Sequence, residues 1–80
     1  MTRIPITVPD LDLEDQTIAV SCWLVARERA VIEGDRVIEL VAGEVTVDLP
    51  APASGRLIRR HAAEGDVIQA GQVLGLIETE

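Results

Sequence analysis

The sequence contains no lysine. Its seven cationic side chains are all arginines (Arg3, Arg27, Arg29, Arg36, Arg56, Arg59 and Arg60), set against 14 Asp and Glu for a net charge of −7. No side-chain amine is therefore available as a nucleophile anywhere in the chain. Aromatic residues are almost as scarce: Phe and Tyr are absent and Trp23 stands alone. An acidic chain repels phosphate backbones, and one without stacking platforms cannot hold single-stranded bases, so nucleic acid is excluded as a partner. Cys22 is the single cysteine and cannot close an internal disulfide. Long hydrophobic runs are missing too. Ile18–Ala26, the longest, is about half of the ~20 residues that a membrane helix needs, so no membrane association is expected. Met-Thr-Arg-Ile-Pro at the start lacks the apolar core and small-residue cleavage site of an export signal. A reducing cytoplasm is the expected compartment.

What remains is aliphatic. The 80 residues form one expected domain, 1–80, in which 48% of side chains are hydrophobic and most of those are Val, Ile and Leu. An interior of β-branched side chains favours strands. The clearest pair is Val37–Val41 and Val45–Leu49, around a turn at Ala42-Gly43-Glu44. Val45, Val47 and Leu49 alternate with Thr46 and Asp48, the period of a strand with one buried face. Gly43 gives the turn its backbone freedom, and Pro50 and Pro52 are expected to stop the second strand. This is a hairpin with Glu44 at or beside its tip.

An internal repeat organises the rest. A shift of 37 residues superposes Val31, Gly34, Val37 and Leu40 on Ile68, Gly71, Leu74 and Ile77, and Val20 on Leu57. The turn is plain in the second copy as Glu64-Gly65-Asp66; Glu28-Arg29 takes the Gly65-Asp66 places in the first, a weaker signal. The repeat also decides Thr17–Val31, whose local pattern fits a helix equally well, in favour of strand. Strands are expected at Ile4–Val8 (on an edge), Ile18–Val25, Val37–Val41, Val45–Leu49, Leu57–Arg60 and Val73–Ile77, with short bridges near Val31 and Ile68. Leu11–Gln16 reads as an acidic loop. Two such units facing each other would bury one shared core in a flattened all-β barrel or sandwich.

These residues resemble the lipoyl domains of 2-oxoacid dehydrogenase acyltransferases. The resemblance runs through Val8-Pro9-Asp10-Leu11, Trp23-Leu24-Val25, and Val31 with Gly34-Asp35. It continues through Thr46-Val47-Asp48-Leu49-Pro50-Ala51-Pro52, Gly55, Glu64-Gly65-Asp66 and Gly71-Gln72. It implies a barrel-sandwich hybrid of two four-stranded sheets with quasi-twofold symmetry. In that family the hairpin tip carries a lysine, usually within Glu-Thr-Asp-Lys-Ala, which is acylated with lipoate; the related biotin carriers use Met-Lys-Met. Reading back from Thr46, the matching residues here are Val41-Ala42-Gly43-Glu44-Val45, so the resemblance sets Glu44 at the acceptor position, flanked by Gly43 and Val45. A carboxylate cannot form the amide, and no other lysine can slide into place. No lipoyl or biotinyl cofactor is expected.

The expected function is a non-lipoylated protein-interaction module, not an enzyme, linked to 2-oxoacid dehydrogenase components or lipoate-handling proteins. The alternative is an acyl-carrier domain of a larger or variant chain whose acceptor lysine is not in this sequence. The opening Met1 and the complete motif series argue for an intact domain. Glu78-Thr79-Glu80, which resembles the Glu-Thr-Asp before the family lysine, is read as an echo of the internal repeat. Elsewhere Cys22 reads as a structural thiol. His61, the only imidazole, has no second metal ligand at a useful spacing, so no metal site is expected. A Cys22–His61 nucleophile–base pair rests on their presence alone. Arg56, Arg59 and Arg60 read as a salt-bridged face, with a docking contact for an acidic partner as the sharper reading. Asp10, Asp12, Glu14 and Asp15 lack calcium-ligand spacing and are expected to serve solubility or to complement a basic partner.

Overall fold

A computed structural model describes residues 1–13 and 16–79. Eight strands follow in order: β1 Arg3–Thr7, β2 Ile18–Trp23, β3 Ala30–Val31, β4 Arg36–Ala42, β5 Val45–Pro50, β6 Gly55–Arg60, β7 Val67–Ile68 and β8 Val73–Glu78. They form two four-stranded antiparallel sheets, here called the terminal sheet (β1-β8-β6-β3) and the tip sheet (β5-β4-β2-β7). The described residues include no helix, so the ambiguous stretch from Thr17 to Val31 is strand and turn.

The 37-residue repeat is the symmetry of the fold. It carries β2 onto β6, β3 onto β7 and β4 onto β8, and the hydrogen bonds follow. Val20 N donates to Asp66 O and Leu57 N to Arg29 O; Gly65 N donates to Val20 O and Glu28 N to Leu57 O. Gly34 N donates to Ala51 O and Gly71 N to Val8 O, which makes β5 the counterpart of β1. Even the irregularities repeat, with a register shift between Val20 and Cys22 in β2 and another between Leu57 and Arg59 in β6.

One core lies between the sheets. Ile38, Leu40, Leu57, Leu74, Ile77, Val20 and Val37 are wholly enclosed, and Ile6, Val8, Val31, Leu49 and Ile68 complete the cluster. The alternation expected of β5 holds at Leu49, which is buried, while Val45 near the hairpin end stays half exposed. The bulges alter simple alternation elsewhere: Leu57 and Ile58 are adjacent in sequence and both buried.

Several boundaries differ from the sequence reading. Pro50 does not stop β5; it is the strand's last member, paired with Arg36. β5 is an edge strand, where a missing N–H leaves no ladder bond unmade. Pro5 is tolerated in β1, the edge of the other sheet, for the same reason. β2 ends at Trp23 rather than Val25, because the chain bends at Leu24 and Val25 after a last ladder bond from Leu24 N to Val37 O.

Candidate functional site

The hairpin tip is a two-residue loop. Ala42 pairs with Val45 at the ends of β4 and β5, leaving Gly43 and Glu44 as the connection. Gly43 has φ +60° and Glu44 has none of the positive φ seen at the left-handed positions of this chain. A positive φ at the first central residue alone is the requirement of a type II′ turn, for which glycine is the preferred residue. A Cβ added at position 43 would come within 2.7 Å of Gln16 Oε1, the far end of an exposed, flexible side chain that lies over the turn and can move aside, so the demand for glycine rests on φ.

Glu44 is exposed at the outer position of this loop. Among the described residues the salt bridges join Arg3 to Glu78 (3.6 Å) and Arg36 to Asp48 (3.8 Å), so Glu44 has no ionic partner there. Ala42 beneath it is buried and Val45 is 49% exposed. Behind the tip, register aligns Thr46, Val41, Ala19 and Val67 across the outer face of the tip sheet. Of these Val67 is 68% exposed. The tip therefore presents one carboxylate on a rigid two-stranded post with an uncharged, largely aliphatic shoulder. A carboxylate so placed accepts hydrogen bonds and pairs with cations; it has no nitrogen lone pair with which to take an acyl group.

The remaining candidate residues do not join this site. Cys22 lies in β2, half-buried, opposite Glu39 of β4. His61 is exposed and lines a depression with Trp23, Arg60, Ala62, Glu64 and Asp66, a set without Cys22. Among the described residues, the three clustered arginines do not form the salt-bridged face expected. Neither described ion pair includes them. Arg60 instead lies over the Trp23 ring, 5.3 Å from its centroid, and its Nη2 donates to Val25 O. Of the acidic loop, Glu14 and Asp15 fall outside the described residues, while Asp10 accepts a bond from the Asp12 amide in a local turn. Among the described residues no helix is long and apolar enough to cross a membrane.

Two close contacts were not read from the sequence, one at the tip and one away from it. Gln16 reaches the tip from a loop far away in the chain, and no local pattern signals such a contact. Gly75 does carry a signal, since an isolated glycine within a strand marks close approach. A Cβ there would stand 2.6 Å from Arg59 O and 3.0 Å from Cη2 of Trp23.

Comparison with known proteins bears on the whole chain. The biotin/lipoyl family model, described as that of a biotin-requiring enzyme, matches residues 4–77. The dihydrolipoyllysine-residue succinyltransferase component of the 2-oxoglutarate dehydrogenase complex from Bartonella vinsonii subsp. berkhoffii is 33% identical over 73 residues, 91% of this chain and 18% of that protein. The lipoamide acyltransferase component of the branched-chain alpha-keto acid dehydrogenase complex from Bacillus subtilis (strain 168) is 30% identical over 74 residues, 92% of this chain and 18% of that one. The chain thus spans about a fifth of the length of these relatives. Among solved structures, the lipoyl domain of the 2-oxoglutarate dehydrogenase complex from Azotobacter vinelandii superposes with a TM-score of 0.76 at 22% identity, covering 95% of this chain and 96% of that domain. Urea carboxylase of Kluyveromyces lactis contains a similar unit, with a TM-score of 0.81 at 20% identity over 98% of this chain and 6% of the enzyme. At these identities the structural likeness is one of fold.

Proposed function

This chain belongs to the biotin/lipoyl family, and from that premise we propose that it is a member whose tip carries no acyl group and that works as a protein-interaction module. One observation carries the reading: the tip residue is Glu44, in a sequence without a single lysine. The scaffold that would present an acceptor is intact, with its hairpin, shared core and both repeat turns in place. A domain drifting without a role has no reason to keep all of these. Glu44 then makes a charged, non-covalent contact where relatives would place a covalent arm. The partners we favour are 2-oxoacid dehydrogenase components or lipoate-handling proteins, because the curated relatives are components of such complexes. We place the domain in the cytoplasm, where the lone thiol of Cys22 stays reduced.

The test is an intact-mass measurement on the natively expressed protein together with a Glu44→Lys variant offered to a lipoate ligase. An unmodified mass for the wild type and lipoylation of the variant are the expected results. A lipoyl or biotinyl increment on the wild type would end the proposal.

A second reading has its own support. The chain spans only about a fifth of its curated relatives, so it also suits a domain of a larger acyl-carrying protein whose acceptor lies on another segment. Detection of a longer native product bearing a lipoylated domain would favour that reading.

A further inference from the structure

The quasi-twofold axis gives the two sheets matching outer faces, and their chemistry differs. On the tip sheet the cross-strand rows are Val67–Ala19–Val41–Thr46 and Cys22–Glu39–Asp48. On the terminal sheet the equivalent rows are Ala30–Arg56–Glu78–Arg3 and Arg59–Leu76–Pro5. Among the described residues, three arginines thus share one outer face with a single carboxylate, on a protein whose net charge is −7.

That carboxylate is already committed. Glu78 stands opposite both Arg3 and Arg56, but its Oε2 lies 3.6 Å from Arg3 Nε, and no described ion pair includes Arg56 or Arg59. Arg59 makes only a long 3.4 Å contact to the carbonyl of Ile58. Both arginines are exposed, and Leu76 and Pro5 extend from Arg59 as an apolar floor. A depression of about 680 Å³ opens beside the first row, lined by Ala30, Ser54, Gly55, Arg56, Glu78 and Thr79.

We propose that this face of the terminal sheet is a docking surface for a short acidic segment of a partner protein. Two of the segment's carboxylates pair with Arg56 and Arg59, and an aliphatic side chain lies on Leu76 and Pro5. The guanidinium fork suits bidentate carboxylates. Charge decides between occupants. A short segment feels the arginines within a Debye length of about 8 Å at physiological salt. A nucleic acid would extend beyond the face onto acidic surface, and a second copy of the chain would bring its own −7. The inference rests on the reading of the domain as an interaction module but not on the state of Glu44.

The test is amide chemical-shift mapping on the full chain with an oligoglutamate peptide, run beside oligolysine and a duplex DNA oligonucleotide. Oligoglutamate is expected to move the resonances of Arg56, Arg59, Leu76 and Arg3, with affinity falling as salt rises. Arg56→Glu/Arg59→Glu should weaken it at least tenfold, since the double reversal turns two attractions into two repulsions and a tenfold change needs only about 1.4 kcal/mol in all. The neutral Arg56→Gln/Arg59→Gln pair should do the same if charge reversal disturbs the sheet. Shifts centred on Arg27, Arg29 or Arg36, stronger binding of DNA, or concentration-dependent shifts of the face in the protein alone would each overturn the proposal. A pull-down separates this idea from the one it rests on. Partners kept by the double Gln variant would remove the face and leave the module standing; partners never found for the wild type would remove the module.

Discussion

Trp23 and Arg60 occupy equivalent positions in the two halves of this protein, and they touch. The 37-residue repeat carries one onto the other, as it carries Val25 onto Ala62. Trp23 Nε1 donates to Ala62 O at 2.9 Å, and Arg60 Nη2 donates to Val25 O, so each side chain crosses the axis to the other half's equivalent carbonyl. The guanidinium then lies over the indole. Two unlike residues have converged on the same hydrogen bond. The repeat evidently constrains backbone pairing and the satisfaction of polar groups, and leaves the identity of the side chain open wherever it reaches the surface.

The core is where the halves should be least free to differ. Leu40 and Ile77 are equivalent and are 1% and 0% exposed. If both halves build one core, Leu40→Ala and Ile77→Ala should each cost about 2–5 kcal/mol in urea unfolding, with a single transition. Losses that differ by more than the spread between such sites, or a biphasic curve, would show that one half folds as a separate unit. In a domain this small either variant approaches complete unfolding.

The turns offer a sharper contrast. Gly65 has φ +88°, and its counterpart Glu28 is held at φ +72°, one of two non-glycine residues at positive φ among the described residues. A left-handed backbone costs an ordinary residue roughly 1–2 kcal/mol. Gly65→Ala should therefore destabilise by about that amount. Glu28→Gly should stabilise by roughly 0.5–1 kcal/mol, the relief of strain less the entropy that glycine adds to the unfolded chain. Thermal unfolding of the pair reads both signs, and a destabilised Glu28→Gly would give Glu28 a role beyond its turn.

These turns also mark what was legible in the sequence. The repeat, with alternation for the first strand and the hairpin, placed every strand to within about two residues, because a shared core imposes the same apolar spacing twice. It placed a turn at Glu28-Arg29 where composition argued weakly for one, since the hydrogen bonds of Glu28 N and Gly65 N are equivalent and local preference yields to them. The hairpin and the exposure of Glu44 followed from alternation and Gly43. What stayed hidden depends on contacts between distant segments. Gln16 over the tip and the Trp23–Arg60 stack have no periodic signature, and the isolated Gly75 signals a close approach without saying what approaches. The supposed salt-bridged arginines failed for the same reason, because a run of like residues says nothing of which acids the sheet register sets opposite.

The tip has a counterpart as well. Under the repeat, the paired Ala42 and Val45 correspond to Thr79 and Thr2, and Thr79 N donates to Thr2 O at 2.8 Å. The comparison can be broken at the closed end. Gly43→Ala meets both the left-handed φ and Gln16 Oε1, so it should cost about 1–2 kcal/mol. Adding Gln16→Ala should recover only the steric share. Glu44→Lys alone should leave stability within ~0.5 kcal/mol, as expected for an exposed loop residue. Gly43→Asp added to Glu44→Lys should therefore lower stability, which thermal unfolding of the single and double variants would check.

The smallest expected effect returns to the axis. Arg60→Ala removes one cation–π contact, worth about 0.5–1 kcal/mol at an exposed site, and one hydrogen bond to Val25 O. Because Trp23 keeps its own bond to Ala62 O, the indole should stay in place and the loss should not exceed ~1–2 kcal/mol. Trp23 is the only tryptophan, so fluorescence reports on the surroundings of this one indole. Arg60→Lys separates the two terms, since an ammonium keeps the attraction to the ring but not the planar stack or the guanidinium's reach to the carbonyl. If Arg60→Lys matches wild type while Arg60→Ala does not, charge over the ring holds the halves together there. If both variants lose equally, the bond to Val25 does, and the equivalence of Trp23 and Arg60 as hydrogen-bond donors is the feature the fold requires.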